Sequence, residues 1–128
     1  MDDGLRILLV DDFATMRRMI RNILKQLGYT NIEEAENGET ALSLLKVKSF
    51  DLIISDWNMP RMSGLDLLKN VRADETLKNL PFIMVTAEAQ QENIIEAVKN
   101  KVSQYVVKPF TAEVLAEKIK NVMASARA

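Results

Sequence analysis

At 128 residues, with 48% hydrophobic and 27% charged side chains, the chain has the size and composition of one globular domain with a full core. A net charge of −1 gives no overall attraction to nucleic acid or anionic membrane, no run is long and apolar enough to span a bilayer, and the acidic start "MDDGLR" is unlike a secretory signal. With neither cysteine nor histidine, thiol chemistry, imidazole acid–base catalysis and the usual zinc sites are excluded; the expected setting is the cytoplasm, and any reacting group must be carboxylate, hydroxyl, amine or backbone.

The first apolar run, "RILLV" (6–10), is continuous and rich in branched residues, as in a strand buried on both faces; two adjacent aspartates, Asp11 and Asp12, stop it. Met16, Ile20, Ile23, Leu24 and Leu27 then fall on one face of a helix, with Arg17, Arg18, Arg21 and Lys25 outside it and Gly28 as its C′ stop. "NIEEA" (31–35) alternates and predicts an edge strand, and Asn37 can cap a second helix. "DLIIS" (51–55) is the third strand and ends at Asp56; Ser63 and Asp66 stand at capping-box spacing for a third helix. "FIMVT" (82–86) is the fourth strand, ending in Thr86, and "AQQENIIEAVK" (89–99) the fourth helix. "QYVVK" (104–108) closes the series with Lys108 and Pro109, and Leu115, Ile119, Val122 and Met123 stripe a last helix.

Strand and helix alternate five times without an internal repeat. This predicts an α/β fold: a single domain over 1–128 with a doubly wound five-stranded parallel sheet, order 2-1-3-4-5, flanked by five helices. Such sheets bind ligands beyond the carboxyl ends of the strands, where the strand order reverses. Asp11, Asp12, Asp56, Thr86 and Lys108 all follow or end strands and converge on that edge. Taken singly, each has an ordinary role: a helix cap, a loop acid, a surface lysine. Taken together, three carboxylates a few ångströms apart repel one another unless a hard cation joins them, and Mg²⁺ takes one or two carboxylates plus phosphate oxygens. An aspartate can then accept a phosphoryl group, with Lys108 and Thr86 supplying charge and a hydroxyl donor.

"LLVDD" followed by a helix, "DLIISDWNMPRMSG", "MVTAEA" and "YVVKPF" resemble, in order and separation, the motifs of response-regulator receiver domains, across nearly the whole chain. The details are most similar to the single-domain chemotaxis members. The resemblance implies a phosphorylation-switched signalling protein, not an enzyme, that assists its own phosphorylation and dephosphorylation. Asp56 would be the phosphoacceptor. Asp12, Asp56 and the Asn58 carbonyl would touch Mg²⁺, and Asp11 would act through water. Thr86 and Lys108 would contact the phosphoryl group, and Tyr105 would turn inward as Thr86 moves. The Lys108–Pro109 bond would be cis, Asn58 and Glu88 would tune dephosphorylation, and Trp57 would report occupancy by fluorescence.

The same resemblance implies a histidine kinase as donor, a possible phosphatase, and a monomer with no nucleic-acid or membrane partner. No effector domain is expected after "ASARA" (124–128). Output would then use a face of the fourth helix, fifth strand and fifth helix, including Ile94, Tyr105 and Lys118. Its partner would be the flagellar motor switch protein, or another target if the chain serves a separate phosphorelay.

Two departures bear on that output. Lys101 stands where many receivers carry glycine; because a lysine in the left-handed region costs on the order of 1 kcal/mol, the expectation is that Asn100 takes that conformation or that the helix ends differently. Gln90 and Gln91 stand where the chemotaxis members that the chain resembles carry lysines. The basic stripe Arg17, Arg18, Arg21 reads as a solvated helix face, with kinase docking second. Rival classes fit less well. A haloacid-dehalogenase-like phosphohydrolase wants an Asp-x-Asp pair where this chain has adjacent acids and Phe13. A flavodoxin-like FMN carrier would meet acids where its phosphate loop belongs, and the four glycines form no dinucleotide fingerprint.

Overall fold

The computed structural model of the chain describes residues 4–87 and 91–127. Its elements alternate as the sequence implies: β1 (Arg6–Val10), α1 (Ala14–Gln26), β2 (Asn31–Ala35), α2 (Gly38–Val47), β3 (Leu52–Asp56), α3 (Gly64–Ala73), β4 (Phe82–Thr86), α4 (Gln91–Lys99), β5 (Gln104–Val107) and α5 (Ala112–Arg127). The strands form one parallel sheet in the order β2-β1-β3-β4-β5. The third strand runs one residue later than its apolar stretch, taking Asp56 into the ladder; the fifth stops before Lys108.

Alternation along the strands divides the core in two. Ile7 and Leu9 of β1, Ile54 of β3 and Val85 of β4 meet Ile20 and Leu24 of α1 and Leu115, Ile119 and Val122 of α5. Leu8, Val10, Ile53 and Met84 meet Ala41 and Leu45 of α2, Leu67, Leu68 and Val71 of α3, and Ala97 of α4. Each fully buried Leu or Ile contributes about 1.5–3 kcal/mol by leaving water, so the sheet is held from both sides. As the expected order requires, β2 and β5 are the two edge strands, with Val107 of β5 exposed.

Helix ends follow local chemistry. Asn37 accepts from the Thr40 amide at 2.9 Å and Ser63 from the Asp66 amide at 3.1 Å, so both expected caps form. Gly28 lies at φ 98° just past α1, where the Tyr29 amide bonds back to Leu24 and the Gly28 amide to Lys25. The end of α4 repeats this motif with a different residue. Lys101 itself adopts φ 63°, with the Val102 amide on the Ala97 carbonyl and the Lys101 amide on the Val98 carbonyl. The expectation that Asn100 or another ending would spare the lysine is therefore wrong. The reason lies on the neighbouring helix: Arg72 of α3 donates from Nε and Nη2 to the Lys101 carbonyl at 3.0 and 2.9 Å, and from Nη1 to the carbonyls of Lys78 and Leu80. Bonds to an ionised donor are worth more than neutral ones, and together they offset the roughly 1–2 kcal/mol of left-handed strain. Desolvation by burial lowers the Arg72 pKa from its ordinary value, but a guanidinium stays charged.

Candidate functional site

The chain passes from β1 to β2 on one side and returns to β3 on the other, so the order reverses between β1 and β3. Val10 pairs with Ser55 in register, which sets Asp11 and Asp12 beside Asp56. Carboxylate oxygens of these three residues lie within 4.8 Å of one another. Asp11 is 1% exposed and Asp56 8%, whereas Asp12 faces solvent. Neither adjacent aspartate caps α1, whose N-cap is Phe13 without a side-chain bond. Instead Asp11 Oδ1 accepts from the Phe13 amide at 2.9 Å, in a turn that bends the chain away from the sheet.

Lys108 arrives from the far edge of the site. Its amide donates to the Thr86 carbonyl at 2.7 Å, and its Nζ lies 3.0 Å from Asp56 Oδ1 and 3.8 Å from Asp11 Oδ2. The Lys108–Pro109 peptide is cis. One ammonium thus pairs with two members, Asp56 and Asp11, of a cluster of three carboxylates. Asp11 Oδ2 is buried without a hydrogen bond, an expensive state for an ionised oxygen. The Asp11 pKa is raised, chiefly by burial and further by the charges of Asp56 and Asp12, while the Phe13 amide and Lys108 pull the other way. A buried, hydrogen-bond-free carboxylate oxygen aimed at two more carboxylates fits a hard divalent cation such as Mg²⁺.

Thr86 is fully buried at the end of β4, next in the sheet to β3. Asn58 is exposed in the loop leaving β3. Trp57 is 8% exposed and meets Tyr105 of β5 edge to face, with ring centroids 6.3 Å apart. Ile94 on α4 and Lys118 on α5 are part-buried on the elements beside β5. Glu88 and Gln90 lie outside the described residues, as does the side chain of Gln91.

The structure also places residues that sequence reasoning did not assign to the site. Arg17 and Arg21 are not a merely solvated stripe: both pair with Glu34 of β2, at 2.7 and 3.0 Å, and Arg17 Nη1 donates to the Asp11 carbonyl at 2.8 Å. Glu34, on the alternating strand, therefore braces the arginine that fixes the end of β1; Arg18 remains exposed. Two glycines hold the β3–α3 loop. A Cβ on Gly64 would lie 2.2 Å from the Asp56 carbonyl, and one on Gly38 2.7 Å from Met62. Arg61, at φ 71° in that loop, pairs with Glu39 of α2 at 2.9 Å. The sequence signal for the glycines was their position at helix starts, where no cap requires them.

Known proteins share this chain's family and fold. The family profile described as response regulator receiver domain matches residues 7–120. Chemotaxis protein CheY-3 of Vibrio cholerae is 56% identical over 119 residues, covering 93% of this chain and 92% of its own. Chemotaxis protein CheY of Pseudomonas aeruginosa is 58% identical over 118 residues, covering 92% and 95%. Among solved structures, the chemotaxis response regulator CheY4 of Vibrio cholerae superposes with a TM-score of 0.85 at 36% identity, covering 92% of this chain and 98% of that one. The response regulator TrrA of Thermotoga maritima, in complex with Mg²⁺ and BeF, does so with a TM-score of 0.82 at 35% identity and the same coverage.

Proposed function

Because the chain belongs to the response regulator receiver family, we propose that its switch is a phosphoryl group carried on Asp56 and donated by a histidine kinase. The observation that carries this reading is the placement of Asp56: its Oδ1 is 3.0 Å from the Lys108 ammonium, beside a carboxylate oxygen of Asp11 that has no hydrogen bond. In the transfer, a carboxylate oxygen of Asp56 forms a bond to phosphorus as the bond from phosphorus to the donor's imidazole nitrogen breaks, the electron pair leaving with the imidazole. Lys108 stays protonated and holds a phosphoryl oxygen, and the Thr86 hydroxyl donates to another. The same groups hold the acyl phosphate open to water, so the domain takes part in its own phosphorylation and dephosphorylation; Asn58, and Glu88 outside the described residues, tune the latter.

Asp11, Asp12, Asp56 and the Asn58 carbonyl are the residues that would hold Mg²⁺, with Asp11 acting through water. When bound, the ion supplies the positive charge that one lysine cannot provide against three acids and a phosphoryl group.

The output we propose is protein binding by the whole chain as one receiver domain, in chemotaxis, since the similar relatives are chemotaxis proteins. Thr86 moves toward the phosphoryl group, Tyr105 turns off the Trp57 edge into the space left, and the α4–β5–α5 face, with Ile94, Tyr105 and Lys118, changes shape. The partner is the flagellar motor switch protein. The setting is the cytoplasm; among the described residues no helix is long and apolar enough to cross a membrane. Titration with an N-terminal peptide of the motor switch protein, with Mg²⁺ and with or without beryllofluoride, tests the reading. Tightening with beryllofluoride is expected. A Trp57 signal for beryllofluoride with no peptide binding in either state would leave a receiver whose output lies in another pathway.

A further inference from the structure

At the end of the sheet opposite the three aspartates, the C-terminal turns of α3 and α4 and the loop before β4 enclose an open groove of about 380 Å³. Five cations line it, Lys69, Arg72, Lys78, Lys99 and Lys101, and none of its lining residues is acidic. That is five of the chain's 17 lysines and arginines in one place, on a molecule whose net charge is −1.

Two of the five have a structural explanation. Arg72 and Lys99 sit in the last turns of α3 and α4, where positive charge complements the helix dipole. Lys69 lies mid-helix and Lys78 in the loop, so the dipole does not account for them. Lys78 has one exposed partner, Glu75, at 3.2 Å. Lys69, Lys99 and Lys101 have no ion-pair partner among the described residues.

Lys101 is the decisive residue. Its backbone is held at φ 63° by the bonds ending α4 and by two bonds from Arg72 to its carbonyl, a conformation that glycine adopts without strain. What lysine adds at this position is its ammonium, exposed beside the other four cations. Strain retained for the sake of a side chain marks a functional surface. We propose that this groove docks an acidic segment of a partner protein. An extended nucleic-acid strand suits it less well: the basic surface is one short groove rather than a continuous stripe along which a phosphate backbone could run. The groove lies at the opposite end of the sheet from Asp56, and its docking does not rest on the phosphoryl reading.

The test uses the full chain at low ionic strength, with a short fluorescein-labelled oligoglutamate as probe and amide chemical-shift mapping to locate it. Shifts are expected at the C-terminal turns of α3 and α4. The triple variant Lys69→Glu, Lys99→Glu, Lys101→Glu should weaken binding by roughly tenfold, as three surface pairs each worth about two- to threefold predict. A control with the same change in net charge, Arg18→Glu, Lys25→Glu, Lys120→Glu, should weaken it far less. Lys101→Gly should melt at a higher temperature yet bind about twofold more weakly, a pairing that damage to the fold would not produce. Equal losses in the triple variant and the control, shifts spread over the whole surface, or undiminished binding by Lys101→Gly would overturn the proposal. Tighter binding of an oligothymidylate of matched charge in the same groove would replace the acidic peptide with nucleic acid.

Discussion

Asp11 shows most directly what the site demands of a single side chain. Its carboxyl titrates above the ordinary aspartate range because burial and the neighbouring acids disfavour its charge. The folded state of the metal-free protein then holds a proton more tightly than the unfolded state. That contribution to stability is fully present below the unfolded pKa and is lost as pH rises through the higher folded value. Asp11→Asn should therefore raise the melting temperature of the metal-free protein at pH 7 and flatten its dependence on pH above the ordinary aspartate pKa. Calorimetry without divalent ions checks this; a lower melting temperature for Asp11→Asn would show that the carboxylate stabilises the fold. Lys108→Ala should leave Mg²⁺ binding nearly intact but uncouple phosphorylation from partner binding, because the ammonium faces Asp56 at 3.0 Å and reaches across from the β5 end. Normal partner binding by phosphorylated Lys108→Ala would contradict that role. The acids and Lys108 were legible because each follows a strand in the sequence. The pairing of Glu34 with Arg17 was not, since it depends on how α1 lies over β2, which no local pattern encodes.

Among the elements, the β3–α3 connection carries the tightest constraint. Gly64 begins α3 with its amide 2.8 Å from the Trp57 carbonyl, and a methyl group there would collide with the Asp56 backbone. Gly64→Ala should cost about 1–3 kcal/mol, the usual range for overpacking, and should also weaken Mg²⁺ binding by displacing Asp56. Urea unfolding and a Trp57 titration measure the two effects; an unchanged midpoint would mean that α3 can pivot freely. Periodicity and caps made nearly every element readable. The failures came where contacts distant in sequence overrule local preference, as at Lys101, whose left-handed backbone is stabilised by an arginine 29 residues earlier.

For the molecule as a whole, the sheet order and the site were legible together because a parallel five-stranded topology brings the ends of β1, β3 and β4 to one edge whatever the surface does. The groove between α3 and α4 was not, since its five cations are spread over 33 positions of sequence, from Lys69 to Lys101, with nothing periodic to join them. A cation bound only by the native state stabilises it by mass action, so millimolar Mg²⁺ should raise the melting temperature of the unphosphorylated protein, and chelation should reverse the gain. No shift would count against the metal site.

In the proposed switch, Asp56 accepts the phosphoryl group with a divalent ion present. Intact-mass spectrometry after incubation with acetyl phosphate and Mg²⁺ tests it most directly, comparing the native chain, the native chain with chelator, and Asp56→Asn. One added phosphoryl group on the native chain with Mg²⁺, and none in the other two samples, is the predicted result. Stoichiometric labelling of Asp56→Asn would place the acceptor elsewhere, and full labelling in chelator would remove the metal from the reaction.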